Sequence, residues 1–184
     1  MRILAVSGSL RDDSYNTSLL RAAAEAAPEG VEVELWEGLD DLPIYDQDLE
    51  GGEVPASVRR LRREWSEADA ILFATPEYNG SVPGGLKNAI DWASRPRGEA
   101  ALANKTIAIV GASMGQFGAM WAQADLRKIL GIAGARVVSD ELPVTRAHEK
   151  FDQHGRLLDA ELFVRLRGVL QTLAAESVPQ PVAA

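Results

Sequence analysis

The sequence has no cysteine among its 184 residues. That excludes disulfides, thiolate metal sites, iron–sulfur clusters and a cysteine nucleophile, and it suits a reducing compartment. Histidine occurs only twice, so few candidates exist for an imidazole base. Positive charge is scarce: 19 Lys+Arg stand against 27 Asp+Glu, a net charge of −8. A nucleic-acid or anionic-membrane surface needs a basic patch, so neither is expected as a partner. Long apolar runs are missing too. Residues 3–6 are far too few for a signal-peptide core, and no later run could cross a bilayer. The expected location is cytoplasmic.

What is present suffices for a core. Hydrophobic residues make up 46% and charged residues 25%, a globular balance at a length that fits one domain. A single domain is expected over residues 1–175. The tail 176–184, which holds two prolines, is expected to fray.

Elements alternate along the chain. Residues 2–7 form a short apolar run before Gly8 and read as a buried strand. Residues 14–27 are alanine-rich, with Leu19, Leu20, Ala23 and Ala27 at helical spacing, and Pro28 and Gly30 stop the pattern. Residues 31–35 alternate as a half-solvated strand. Residues 37–53 are polar and aperiodic, and read as a long loop. A helix from Pro55 puts Val58, Leu61 and Trp65 on one face, and its arginines Arg59, Arg60, Arg62 and Arg63 on a solvated one. Strands are expected at 70–74, 106–110 and 135–138, and helices at 85–94, 117–130 and 159–173. Such alternation implies α/β architecture: a parallel sheet with right-handed crossovers and helices on both faces. Ligands of these sheets sit beyond the carboxyl ends of the strands. Three loops therefore matter most.

The first loop joins a strand to a helix and carries Gly8, Ser9, Arg11, Ser14, Asn16 and Thr17. A helix N-terminus favours an anion, hydroxyls and an amide add neutral donors, and Arg11 adds a charged one. The loop suits a phosphate monoester. It lacks the lysine of a Walker loop and the spaced glycines of a dinucleotide fingerprint. A serine-rich helix cap explains the same residues without a ligand. The second loop, 75–85, combines Pro76, Glu77, Tyr78, Asn79, Gly80 and Pro83 after an apolar strand. Prolines fix its backbone, Gly80 allows a positive φ, and Tyr78 can wall one edge of a flat heteroaromatic ring. A plain Asn-Gly turn would not need all of these residues.

Two segments resemble a known family. Ser-Gly-Ser-Leu-Arg-x-x-Ser-x-Asn at residues 7–16 and Pro-Glu-Tyr-Asn-Gly-Ser-Val-Pro-Gly-x-Leu-Lys-Asn-Ala-Ile-Asp-Trp at 76–92 are similar to NADPH-dependent FMN reductases. That family includes quinone, chromate and azo-dye reductases on a flavodoxin-like fold. The resemblance spans roughly residues 2–173 and implies a five-stranded sheet of order 2-1-3-4-5. It implies that Ser9, Arg11, Ser14, Asn16 and Thr17 hold the FMN phosphate, with Arg11 equally able to serve the phosphate of the nicotinamide nucleotide. Pro76, Glu77, Tyr78, Asn79 and Gly80 would frame the isoalloxazine, with Ser113 approaching the flavin edge. NADPH or NADH would pass a hydride through FMN to a small acceptor such as a quinone, azo compound, chromate or free flavin, with no side-chain base. Homodimers or homotetramers are implied, with FMN near the interface. Trp92 and Trp121, beside the ligand edge, are the apolar groups expected to need covering. Lys87, Asn88 and Asp91 read as a solvated face or a dimer contact.

Two alternatives remain at this level. Gly111-Ala-Ser113-Met-Gly115 matches a nucleophile elbow, and Asp140 and His148 follow in hydrolase order, which would make a serine esterase. A flavodoxin-type electron carrier would bind the same cofactor without nicotinamide turnover. Carriers wrap the ring with two aromatic loops, whereas here Gly115, Gly118 and Ala119 leave one side open.

Overall fold

The computed structural model describes residues 1–178. Its strands β1 (Arg2–Ser7), β2 (Glu32–Trp36), β3 (Ala70–Ala74), β4 (Thr106–Ala112) and β5 (Arg136–Val144) form one parallel sheet of order 2-1-3-4-5. The helices are α1 (Tyr15–Ala26), α2 (Ala56–Glu67), α3 (Gly84–Ala93), α4 (Met120–Ile132) and α5 (Ala160–Ser177). This is the expected flavodoxin-like arrangement.

The strand period of two sorts side chains by size. On one face Ile3, Ala5, Ala70, Leu72, Ala74, Ala108 and Val110 meet α1 and α5. Four of these seven are alanines, as are Ala22, Ala23 and Ala26 of the facing α1. On the other face Leu4, Val6, Ile71, Phe73, Ile107 and Ile109 meet α2, α3 and α4. Trp65 bridges Trp36 and Phe73 there in edge-on pairs, 5.5 and 5.3 Å between ring centroids.

The structure moves several expected boundaries. The last strand runs on to Val144, well past residue 138. Its pairing with β4 shifts between Ile107 and Ile109, and this bulge breaks the apolar pattern that marks a strand. Arg127 donates to the Val138 carbonyl (2.7 Å) at the irregularity. Pro143 is tolerated because β5 is an edge strand. Helix α4 starts at Met120 and not at residue 117, because Gly118 and Ala119 adopt φ of 57° and 60°. In the sequence Phe117, Met120, Trp121 and Ala124 fall on one side of the expected helix 117–130. They are exposed, and Ala122, Gln123, Leu126 and Leu130 face inward instead. Helix α5 continues to Ser177, so Glu176 and Ser177 are helical; residues 179–184 of the expected tail lie outside the described residues.

The long loop between β2 and α2 is held by α3. Asn88 Nδ2 and Trp92 Nε1 both donate to the Pro43 carbonyl (2.9 and 2.8 Å), and the Tyr45 amide donates to Asn88 Oδ1 (2.7 Å). Tyr45 packs edge-on against Trp92 at 4.9 Å. Trp92 is thus fully buried inside the fold, contrary to the expectation that it lies on a surface needing a partner. Asn88 is likewise an internal clamp, whereas Lys87 and Asp91 pair with each other along the helix (2.7 Å).

Candidate functional site

The loops after β1, β3 and β4 meet at the carboxyl edge of the sheet. The first is pinned where it leaves the strand: the Gly8 amide donates to the Ala74 carbonyl (2.8 Å). A Cβ on Gly8 would lie 2.8 Å from Leu86 Cδ2 and 3.2 Å from Pro76, so a side chain there would push on the buried Leu86. Ser14 caps α1, its Oγ accepting from the amides of Asn16 (3.2 Å) and Thr17 (3.4 Å). Thr17 Oγ1 lies 2.9 Å from Ser7 Oγ, which also accepts from the Ser9 amide (3.3 Å). Arg11 is exposed and donates to the Asp13 carbonyl (3.1 Å). Among the described residues, the amides of Asp12, Asp13, Ser14 and Tyr15 meet no acceptor. This leaves a cluster of free N–H groups at the positive end of α1, with hydroxyls beside it. A cleft of about 440 Å³ opens on the β2 side of this loop, where Ser7, Ser9, Arg11 and Thr17 share its lining with the acidic Asp12, Glu37 and Asp40.

Asn16 behaves differently from its neighbours. It is buried, and its amide exchanges both bonds with Ala112: Nδ2 donates to the carbonyl (3.0 Å), and Oδ1 accepts from the N–H (2.9 Å). Its side chain braces α1 against the end of β4, using one of its two Nδ2 protons.

In the second loop Pro76 is buried, while Tyr78, Asn79 and Gly80 are exposed. Asn79 and Gly80 take φ of 54° and 75°, and Tyr78 and Ser81 exchange both backbone bonds at 3.1 Å. This is the Asn-Gly turn that the sequence signals. The amides of Glu77, Asn79 and Gly80 have no acceptor among the described residues. The Glu77 carboxylate accepts from the amides of Trp121 (3.0 Å) and Ala122 (3.2 Å), capping α4, whose own cap residue Ala119 has no side-chain bond to offer. At the far end of the turn, Ser81 Oγ donates to Asp125 (2.7 Å). Sequence reasoning missed both ties, because nothing local to either segment marks them.

The third loop passes Ser113, half-buried, on its way to α4. The Ser113 amide donates to the Val144 carbonyl, and the Ala147 amide donates to the Ser113 carbonyl. Gly111 is required here: its Cβ would lie 2.8 Å from Gln123 Nε2 and 2.9 Å from the Thr75 carbonyl. The esterase reading gains nothing from this geometry. A nucleophile elbow enters its helix directly, whereas α4 begins only at Met120. Among the described residues Ser113 Oγ has no bond to His148 or Asp140, and the exposed His148 ring lies 3.7 Å from Glu149 instead. A cleft of about 500 Å³ between the ends of α3 and α4 is at the opposite edge of the sheet, away from all three loops.

The parallel 2-1-3-4-5 sheet, the free amides at α1 and the rigid turn after β3 define a flavodoxin-like mononucleotide-binding protein. The described residues contain no helix long and apolar enough to cross a membrane. The model of the NADPH-dependent FMN reductase family matches residues 1–149, and the chain belongs to that family. It is 42% identical to an NAD(P)H-dependent FMN reductase of Pseudomonas aeruginosa over 174 residues, covering 94% of this chain and 93% of the relative. It is 38% identical over 173 residues to a quinone reductase of Escherichia coli K12, covering 92% of each. The solved structure of FerB, a flavoenzyme NAD(P)H:(acceptor) oxidoreductase from Paracoccus denitrificans, superposes with a TM-score of 0.86 at 36% identity, covering 96% of each chain. The protein is an FMN-dependent NAD(P)H oxidoreductase, and the esterase and electron-carrier alternatives fall away.

Proposed function

We propose that the chain reduces quinones and similar small acceptors with NAD(P)H, using FMN held at the three strand-end loops. The observation that carries the site assignment is the group of free amides at residues 12–15, set at the N-terminus of α1 among the hydroxyls of Ser7, Ser9 and Thr17. A phosphate monoester satisfies those donors and the helix dipole together. Ser9, Ser14 and Thr17 offer hydroxyl protons, and Arg11 turns from the Asp13 carbonyl to the phosphate. Asn16 contributes indirectly, by fixing α1 to β4.

At the other end, Pro76 and the amides of Glu77, Asn79 and Gly80 face the ring, and Tyr78 walls one edge. Ser113 borders the same edge. Bound FMN supplies the redox chemistry, accepting a hydride from NAD(P)H and delivering it to the acceptor. The amides donate to ring oxygens and nitrogens, and so favour the state of the ring that carries more negative charge. No side chain is required as a base. Residues 1–175 work as one FMN-binding domain.

Quinones as acceptors rest on the quinone reductase named among the relatives. The partners are small molecules and not nucleic acid or membrane, since a net charge of −8 repels phosphate surfaces. Dependence on NAD(P)H supports a cytoplasmic location. The chain assembles as a homodimer or homotetramer through Met114, Phe117, Met120 and Trp121. Phe117 and Trp121 are 54% and 47% exposed, with ring centroids 4.7 Å apart, beside the third loop.

The test is a pair of titrations. FMN should bind stoichiometrically, and riboflavin, lacking the phosphate, should bind at least about tenfold more weakly. Equal affinities would remove the phosphate site from the account.

A further inference from the structure

We propose that Asp125 is a positioning residue for the flavin ring: through Ser81 it holds the far end of the turn that carries Tyr78, Asn79 and Gly80. The inference rests on the FMN reading above. The turn projects from the sheet, with all three of those residues exposed. Its internal order comes from the two Tyr78–Ser81 backbone bonds, and an isolated hairpin of that size is marginal in water. Beside the packing of Val82 and the burial of Pro83, two side-chain ties among the described residues join it to α4. Glu77 holds the near end through the amides of Trp121 and Ala122. Ser81 holds the far end, its hydroxyl donating to Asp125 Oδ2 at 2.7 Å, a charge-assisted bond from a half-buried serine.

The anchor is itself rigid. Leu126 and Leu130 of α4 are fully buried against the sheet, and Gln123 Nε2 donates to the Gly118 carbonyl, locking the loop that leads into the helix. Asp125 lies one helical turn beyond Trp121 on the same side as the Glu77 tie. Without the Ser81–Asp125 bond, Glu77 alone holds the turn on its α4 side. With both ties, the amides of Asn79 and Gly80 keep one direction before the ring arrives, which lowers the ordering cost of binding.

The test compares Asp125→Ala, Asp125→Asn, Ser81→Ala and the double variant Ser81→Ala/Asp125→Ala. In the protein without FMN, amide hydrogen exchange at Tyr78 and Ser81 should speed up by about tenfold in Asp125→Ala. Asp125→Asn keeps an acceptor oxygen for the Ser81 hydroxyl and should restore most of the protection. The double variant should be no worse than either single one, because one bond is lost in all three. FMN and riboflavin share the ring, so both should weaken by the same factor in Asp125→Ala, with an altered visible circular dichroism of the bound flavin. Unchanged exchange and flavin dichroism in Asp125→Ala overturn the inference, as does weakening of FMN alone. If the wild-type protein binds FMN while Asp125→Ala is indistinguishable from it, only this inference fails. If the wild-type protein takes up no FMN, the functional reading fails and takes this one with it.

Discussion

Replacing Asn16 with alanine removes a side chain that hydrogen-bonds α1 to the end of β4. Asn16 is 3% exposed, and it gives the Ala112 N–H and carbonyl their bonds at 2.9 and 3.0 Å. Those two backbone groups lie at the carboxyl end of a central strand, where little water reaches. Leaving a buried donor or acceptor unpaired costs about 1–3 kcal/mol each, so a total of about 2–6 kcal/mol is expected. For a chain of this size that corresponds to a fall in Tm of about 4–24 °C. Thermal denaturation of the protein without added flavin, followed by far-ultraviolet circular dichroism, reads it directly. Asn16→Asp sharpens the test. At neutral pH its carboxylate faces the Ala112 carbonyl with no proton to donate, so the loss should at least equal that of alanine. In mild acid the protonated carboxyl donates again, and part of the stability should return. A fall of less than about 2 °C in Asn16→Ala would show that Asn16 is not the brace described, because it implies at most about 1 kcal/mol.

Three further outcomes follow. Arg11→Ala should weaken FMN by about tenfold to a hundredfold and leave riboflavin nearly unchanged, as loss of a charge-assisted bond of about 1.5–3 kcal/mol requires; equal losses in two parallel titrations would mean that the loop itself had collapsed. Ser113→Ala should keep reductase turnover, and a fluorophosphonate probe should not label the wild-type protein; stoichiometric labelling at Ser113 would revive the esterase. The Lys150 ammonium, followed by the Leu162 amide, holds the Asp159 carboxyl below the usual aspartate range. Its stabilisation is therefore complete above the ordinary aspartate pKa and disappears as pH falls through the depressed value. Asp159→Asn should lower Tm at neutral pH and flatten the acid limb, and melting curves that stay parallel to wild type across that limb would contradict this.

What was legible in the sequence was local. β3 matches its apolar run of residues 70–74 end to end, since a strand buried on both faces has nothing polar to interrupt it. The Asn-Gly turn is readable because its positive φ values follow from the two residues themselves. Failures cluster where distant segments decide. Phe117, Met120 and Trp121 mimic a helical stripe, but the close passage of Gly118 against Pro143 and Val144 delays the helix to Met120. Trp92 looks like a surface group beside a ligand loop until residues 43–45 fold over it. Asn16 has the chemistry of a phosphate donor, and its bond to the end of β4, which engages one of its two amide protons, has no local signal. Glu77 lies within a ring-binding motif, yet its carboxylate caps a helix that starts far along the chain. Asp125 carries no local signal at all.

The most direct test is the visible spectrum of the purified protein under anaerobic conditions. The protein should bind FMN one to one, NADH or NADPH should bleach the flavin absorbance, and an added quinone should restore it. FMN at tens of micromolar that keeps its full fluorescence and leaves the melting temperature unmoved would contradict the account, as would a bound flavin that neither nicotinamide nucleotide bleaches.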